Sequence, residues 1–173
     1  WNEFNGSKSY SFLSAHQILM QGLVTNHGEY RNRSVGITKG ITLTHIAPPA
    51  DRVPYLMDDL FDYVDKDPDP LLIKSCVFHY ELEFIHPFLD GNGRMGRFWQ
   101  SVLLSKSHPI FEFLPFETII AASQSDYYQA LATSDACGQS TPFIEYMLGV
   151  LDKSLANLLN TTNVVLSETE RIE

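Results

Sequence analysis

The stretch from residue 71 to about 86 constrains the fold more than any other part of the chain. Ile73, Cys76, Val77, Tyr80 and Phe84 form one apolar stripe at helical spacing, and Leu71, Phe78, Leu82 and Ile85 form a second. A helix that is apolar on two sides belongs at the centre of its domain, with other elements packed around it. The stripe left over carries Ser75, His79, Glu83 and His86, and Pro87 stops the helix. His79 and Glu83 read as a satisfied polar seam beneath the helix end.

The rest of the chain supplies partners for that helix. Residues 51–64 place Val53, Leu56, Met57, Leu60, Phe61 and Val64 on one face, with Asp51 a fair N-cap. Asp58, Asp59, Asp62 and Asp65 make its solvated outer face. Asp67-Pro68-Asp69-Pro70 then reads as a linker, with Asp69 at the N-cap and Pro70 at N1 of the central helix. Further helices are expected over 11–23, with Leu13, Gln17 and Met20 on one side and Ile18, Leu19 and Leu23 filling much of the rest. Met95, Phe98, Trp99, Val102 and Leu103 repeat the amphipathic pattern, and the stretches 123–133 and 142–158 complete the set. Residues 33–46 differ, because Val35, Ile37, Ile41 and Leu43 alternate with Gly and Thr around a Lys39-Gly40 turn. That pattern predicts a β-hairpin. The fold class is therefore an all-α, mostly helical bundle with one small β-hairpin.

The 173 residues suit one domain, taken here as 1–160, with 161–173 a tail or the start of a linker to a domain not present. A net charge of −9 argues against a surface that binds nucleic acid, which needs clustered Lys and Arg. No apolar run approaches the roughly 18 residues that span a bilayer, so no membrane partner is expected. Cys76 and Cys137 stand in no metal or redox spacing, which points to a reducing, cytoplasmic setting. The chain opens on Trp1 rather than Met and is expected to be a piece of something longer.

The segment His86-Pro87-Phe88-Leu89-Asp90-Gly91-Asn92-Gly93-Arg94-Met95-Gly96-Arg97 gathers the parts of a phosphate-handling site. His86 sits at the exposed end of the central helix, where an imidazole with an ordinary pKa near 6.5 can act as general base. Asp90 can hold Mg²⁺ through its oxygens. Gly91, Asn92 and Gly93 leave backbone amides open at the start of the next helix, a position that binds anions. Arg94 and Arg97, three apart, share a helical face and can both grip phosphate oxygens. Each residue alone has a bland explanation in a turn, a cap or a surface ion pair. The combination within 12 positions does not.

That segment resembles the signature of the Fic family, His-x-Phe-x-(Asp/Glu)-Gly-Asn-Gly-Arg-x-x-Arg, at all eight fixed positions. Gly28-Glu29-Tyr30-Arg31, Ala47-Pro48-Pro49, the acidic helix ending near Asp65 and the Tyr127-Tyr128 pair agree with it, so the similarity covers roughly residues 11–159. The resemblance implies a protein adenylyltransferase that moves AMP from ATP to a Ser, Thr or Tyr hydroxyl of a target protein and releases pyrophosphate. It implies His86 as base, Asp90 as the Mg²⁺ ligand, and Gly91, Asn92 and Gly93 as the anion hole. Arg94 would contact the phosphates, Arg97 would hold the γ-phosphate, and Tyr127 would lie beside the adenine. Phe88 would fix the loop from the core. The hairpin, through Val35, Gly36, Ile37, Thr44 and His45, would be a flap that pairs with the target segment as an added strand. Self-modification and an oligomer are both compatible with the resemblance. Asp135 stands where many members carry Asn, a departure that bears on the nucleotide contact.

Other readings are weighed against these residues. Glu83-Phe84-Ile85-His86 is a Glu-x-x-His pair of the kind di-iron bundles use, but the sequence has no second copy. The P-loop pattern is absent. Related Doc proteins transfer phosphate, with a loop that departs from Gly-Asn-Gly-Arg, whereas Gly93 here favours room for a diphosphate. A Fic-type transferase of another phosphate-containing group and a catalytically silent interaction module remain the alternatives. Many Fic proteins also carry an inhibitory Ser/Thr-x-x-x-Glu helix, followed by Gly or Asn, whose Glu pairs with the second arginine of the signature, here Arg97. The match at Thr169-Glu170-Arg171-Ile172-Glu173 is loose. The expectation is that 167–173 begins a linker; if the inhibitory Glu lies in sequence that precedes this chain, the chain is the unrestrained form.

Overall fold

A computed structural model describes residues 3–39, 42–114 and 116–169. Among the described residues there are seven helices, α1 (Ser9–Met20), α2 (Val53–Lys66), α3 (Leu71–Ile85), α4 (Asn92–Ser107), α5 (Phe116–Ala122), α6 (Gln124–Cys137) and α7 (Thr141–Thr169), and one hairpin. Its strands, β1 (Gly36–Lys39) and β2 (Thr42–Ile46), pair antiparallel with Ile37 opposite His45, and the register shifts between Ile37 and Thr38. Short 3₁₀ turns, Ala50–Arg52 and Pro109–Phe113, lead into α2 and follow α4. No helix among the described residues is long and apolar enough to cross a membrane.

The two stripes of α3 explain the architecture. Phe78, Leu82 and Ile85 enter one core with Phe12, Met57, Phe61, Met95 and Trp99. Cys76 and Tyr80 enter a second with Leu104, Tyr127, Phe143, Met147 and Leu151. The helix is thus packed by α2, α4 and α7 at once. Phe12 is the hub of the first core, with ring centroids 5.0 Å from Trp99, 5.3 Å from Phe88, 5.6 Å from Phe61 and 6.0 Å from Phe78. Trp99 also donates its indole N–H to the Gly6 carbonyl, 3.0 Å away, which ties the N-terminal segment to α4.

Several local expectations are corrected. The buried face of α1 is Phe12, His16 and Met20 at i, i+4 and i+8, whereas Ile18 and Leu23 are exposed. Phe84 is 38% exposed, at the edge of its stripe rather than in it. Asp69 does not cap α3; Pro70 occupies the N-cap with no side-chain hydrogen bond, and Asp69 accepts one from the Tyr63 hydroxyl at 3.2 Å. Asp51 lies inside the 3₁₀ turn, so α2 starts at Val53. Helix α5 had no counterpart in the sequence pattern, and α7 runs on past position 160 to Thr169. Gly40 of the expected turn and residues 170–173 of the loose inhibitory match lie outside the described residues.

Candidate active site

Pro87 ends α3, and His86 takes the left-handed conformation at its C-cap (φ 51°, ψ 60°). Among the described residues it is the one non-glycine residue with positive φ. That conformation costs an L-residue roughly 1–2 kcal/mol, so the surroundings must hold it. They do so on the backbone: the His86 N–H donates to Leu82 O at 2.9 Å, and buried Arg31 binds the carbonyls on both sides of the turn. Phe88 is fully buried, stacked on the His16 imidazole at 3.6 Å with planes 2° apart. Its side chain is an anchor for the loop, as expected.

The loop closes on itself through Asn92. The Asn92 amide accepts from Phe88 N–H at 2.8 Å and donates to Phe88 O at 2.9 Å, and Asn92 is 2% exposed. Its side chain is therefore spent on the loop, and it can meet a ligand only through its backbone. Gly91 is the N-cap of α4 at φ 91°, where any Cβ would also meet Met20 Sδ at 2.7 Å. The Gly91 N–H is taken by Asp90 Oδ1 at 2.6 Å. Hydrogen bonding within α4 begins with Met95 N–H to Gly91 O, so the amides of Asn92, Gly93 and Arg94 are the open donors of the helix N-terminus. The open amides thus begin at Asn92, one residue after the start of the glycine run.

Asp90 and Arg94 flank that terminus. The Asp90 side chain is 59% exposed and lies 3.4 Å from Arg94 Nη2. No cluster of three or more His, Cys, Asp or Glu side chains able to hold a metal occurs among the described residues. One exposed carboxylate beside open amides suits Mg²⁺ that brings its remaining oxygens from a phosphate ligand and water. The carboxylate would exchange Arg94 for the ion. Arg97 lies one turn further along, its Nε 3.3 Å from Glu117 Oε1 of α5. Glu117 was not anticipated, because α5 was not.

Beneath Arg97 runs the polar seam. His79 is completely buried, with Nδ1 2.8 Å from Gln100 Oε1 and Nε2 3.1 Å from the Tyr127 hydroxyl. Burial lowers its pKa to about 4, so it is a neutral strut. Glu83 lies under the α4 N-terminus; a Cβ on Gly93 would be 3.5 Å from its Oε1 and one on Gly96 3.3 Å. Burial pushes its carboxyl up to about 7, against the pull of the Arg97 charge and the Tyr127 hydroxyl. The seam is not fully satisfied as expected, since Glu83 Oε1 is shielded from solvent and has no hydrogen-bond partner.

Tyr127 itself is 3% exposed and packed on His79, Phe143 and Tyr146, which closes its faces to a stacked base. Its neighbour Tyr128 is 48% exposed, so of the adjacent pair it is Tyr128 that presents its ring to solvent. Asp135 accepts a hydrogen bond from the Tyr80 hydroxyl at 3.0 Å. Val35 leads into β1, and Gly36, Ile37, Thr44 and His45 lie on the two strands; the side chains of 37–45 lie outside the described residues.

One residue that carries the site was missed. His16, on α1, is 1% exposed; its Nδ1 accepts the Gly28 N–H at 2.9 Å and its Nε2 lies 3.1 Å from Asp90 O. With Nδ1 accepting, Nε2 carries the proton and donates to that carbonyl. Burial lowers the His16 pKa, in keeping with the neutral form. An open cleft of about 400 Å³ beside it is lined by His16, Val24, Asn26, Arg33, Leu89 and Asp90.

The Fic/DOC family model matches residues 8–104. Protein adenylyltransferase fic-1 of Caenorhabditis elegans is 30% identical over 133 residues, covering 67% of this chain and 25% of that protein. Protein adenylyltransferase Fic of Nematostella vectensis is 27% identical over 140 residues, covering 79% and 30%. The crystal structure of a Fic family protein from Desulfovibrio desulfuricans G20 is 48% identical, with a TM-score of 0.89, over 93% of this chain and 50% of that one. The chain therefore spans between a quarter and a third of these curated relatives' length.

Proposed function

The chain belongs to the Fic/DOC family, and from that premise we propose that it is a protein adenylyltransferase, moving AMP from ATP to a hydroxyl of a target protein. The observation that carries the reading is the folded signature. His86 ends α3, while Asp90, the open amides at the start of α4, Arg94 and Arg97 follow within one loop and one helical turn. In the reaction, His86 takes the proton of a Ser, Thr or Tyr hydroxyl as that oxygen attacks the α-phosphorus in line. The new O–P bond forms, the bond from the α-phosphorus to the bridging oxygen breaks, and pyrophosphate leaves with the electron pair.

The residues around the base divide the nucleotide between them. The amides of Asn92 and Gly93 receive phosphate oxygens, Arg94 contacts the chain of phosphates, and Arg97 leaves Glu117 for the γ-phosphate. Asp90 would hold Mg²⁺, which neutralises charge on the phosphates when bound. The hairpin offers its edge to the target as an added strand, so the same surface would serve a partner protein or the chain's own modified residue.

Incorporation of label from α-labelled ATP into protein tests the reading, with wild type compared against His86→Ala. A positioned base contributes roughly 10²- to 10⁴-fold, so the variant is expected to lose transfer while it still binds ATP. Retention of more than about a few per cent of the rate would remove His86 as the base. Wild-type chain that binds ATP and labels neither itself nor lysate proteins would favour a silent interaction module.

A further inference from the structure

Arg31 is 3% exposed, and carbonyl oxygens surround its guanidinium. Nε donates to His86 O at 2.8 Å, and Nη2 to Ile85 O at 3.2 Å. Nη1 donates to Arg33 O at 2.9 Å, and Nη2 also to Pro48 O at 2.6 Å. The Arg31 backbone N–H adds a bond to Pro87 O at 2.8 Å. Four of the five guanidinium N–H groups are thus used in one plane. The first two carbonyls are those of the C-cap and of the last residue of α3, where the helix dipole is negative, so they receive a cation well without a carboxylate. The other two lie on the two stems of the hairpin: Arg33 precedes β1, and Pro48 follows β2.

We infer that Arg31 is a positioning residue that locks the hairpin flap to the left-handed His86 turn, so that a segment docked on the flap is held in register with the base. One rigid ion joins both feet of the flap to the strained backbone that aims His86. Lysine cannot replace it, because a single ammonium cannot reach four carbonyls spread around a planar fork. What the flap and the base do rests on the transferase reading above; the mechanical link between them does not.

The test compares wild type with Arg31→Lys. The rate of label incorporation at saturating MgATP is expected to fall on the order of 10²-fold, since a displacement near 1 Å suffices for that. Affinity for MgATP by calorimetry is expected to stay within about twofold, because no Arg31 contact lies on the phosphate loop's open amides. Amide hydrogen exchange is expected to speed up in the hairpin and at 86–88 together, and to stay unchanged in α4. Faster exchange spread evenly over α4 would reduce Arg31 to a stability residue, and unchanged exchange at the hairpin would break the link; either overturns the inference. If the wild type incorporates no label, the transferase reading fails, and the exchange data still decide the link. If Arg31→Lys does not fold, the wild type decides by itself: the Arg31 Nε–H must exchange slowly, and exchange on the millisecond scale overturns the lock.

Discussion

Replacing Glu83 with glutamine tests the electrostatics under the phosphate loop. The carboxyl is pushed from 4.5 up to about 7 by burial, despite the Arg97 charge and the Tyr127 hydroxyl, which both favour ionisation. The folded protein therefore keeps a proton that the unfolded chain releases above 4.5. Between those two values the unfolded state binds fewer protons, so stability falls as pH rises through the window, and the loss is complete above about 7. At about 1.36 kcal/mol per pH unit, the loss from ionising this one group is about 3 kcal/mol, most of which falls between pH 5 and 8.

His79 opposes it in the wild-type profile. Its pKa is lowered from 6.5 to about 4, so its contribution to stability is lost as pH falls through that range. The two slopes offset each other where they overlap, and a wild-type curve alone would look deceptively flat. The difference between Glu83→Gln and wild type removes the His79 part. Glutamine has the same shape and no proton to lose. The variant is expected to match wild type near pH 5 and to exceed it by about 2–3 kcal/mol at pH 8. Urea denaturation followed by circular dichroism, with a slope of about 2 kcal/mol per molar, would show this as a midpoint shift near 1 M. A difference that stays constant from pH 5 to pH 8 would refute the raised carboxyl.

Two further outcomes check the loop itself. Arg97→Ala should weaken ATP more than AMP in calorimetry, because Arg97 lies a turn beyond the open amides, and its exposed partner Glu117 adds only a small competing attraction; equal losses would remove it from the γ-phosphate. Gly96→Ala should lower the melting temperature by on the order of 5 °C, since its Cβ would stand 2.6 Å from the Cδ2 of a His79 that cannot move, an overpacking of about 1–3 kcal/mol. Gly149→Ala, with nothing within 4 Å of the added carbon, is the control expected to stabilise α7.

The legible parts of the fold were those written locally. The two stripes of α3 and the single stripe of α2 are patterns within one helix, and each predicts its own burial. The signature is contiguous, so its histidine, carboxylate, amides and arginines could be read without knowing the tertiary structure. The illegible parts depend on chain segments that meet only after folding. His16 reaches Asp90 across 74 positions, and Arg31 reaches His86 across 55. On α1 the surface pattern even misleads, because a histidine occupies the buried face while Ile18 stands in solvent. Tyr127 and Tyr128 are adjacent, and only packing against Phe143 decides which ring is closed off.

That division has a mechanical reason. The signature residues that would touch a nucleotide gain little from their own neighbours: Asp90 and Arg94 form an exposed pair, worth at most about 1 kcal/mol, and Arg97 leans on an exposed glutamate. Such side chains are free to change partners when phosphate arrives. The backbone that aims them cannot be so free, because a left-handed histidine and a glycine N-cap relax unless something rigid opposes them. Rigid opposition has to come from buried donors with fixed geometry. The donors that meet this demand are Asn92 inside the loop, the His16 imidazole beneath it and the Arg31 guanidinium behind it, all 3% exposed or less. The chemistry of the site can therefore be confined to 12 positions only because two residues far outside them hold its backbone still.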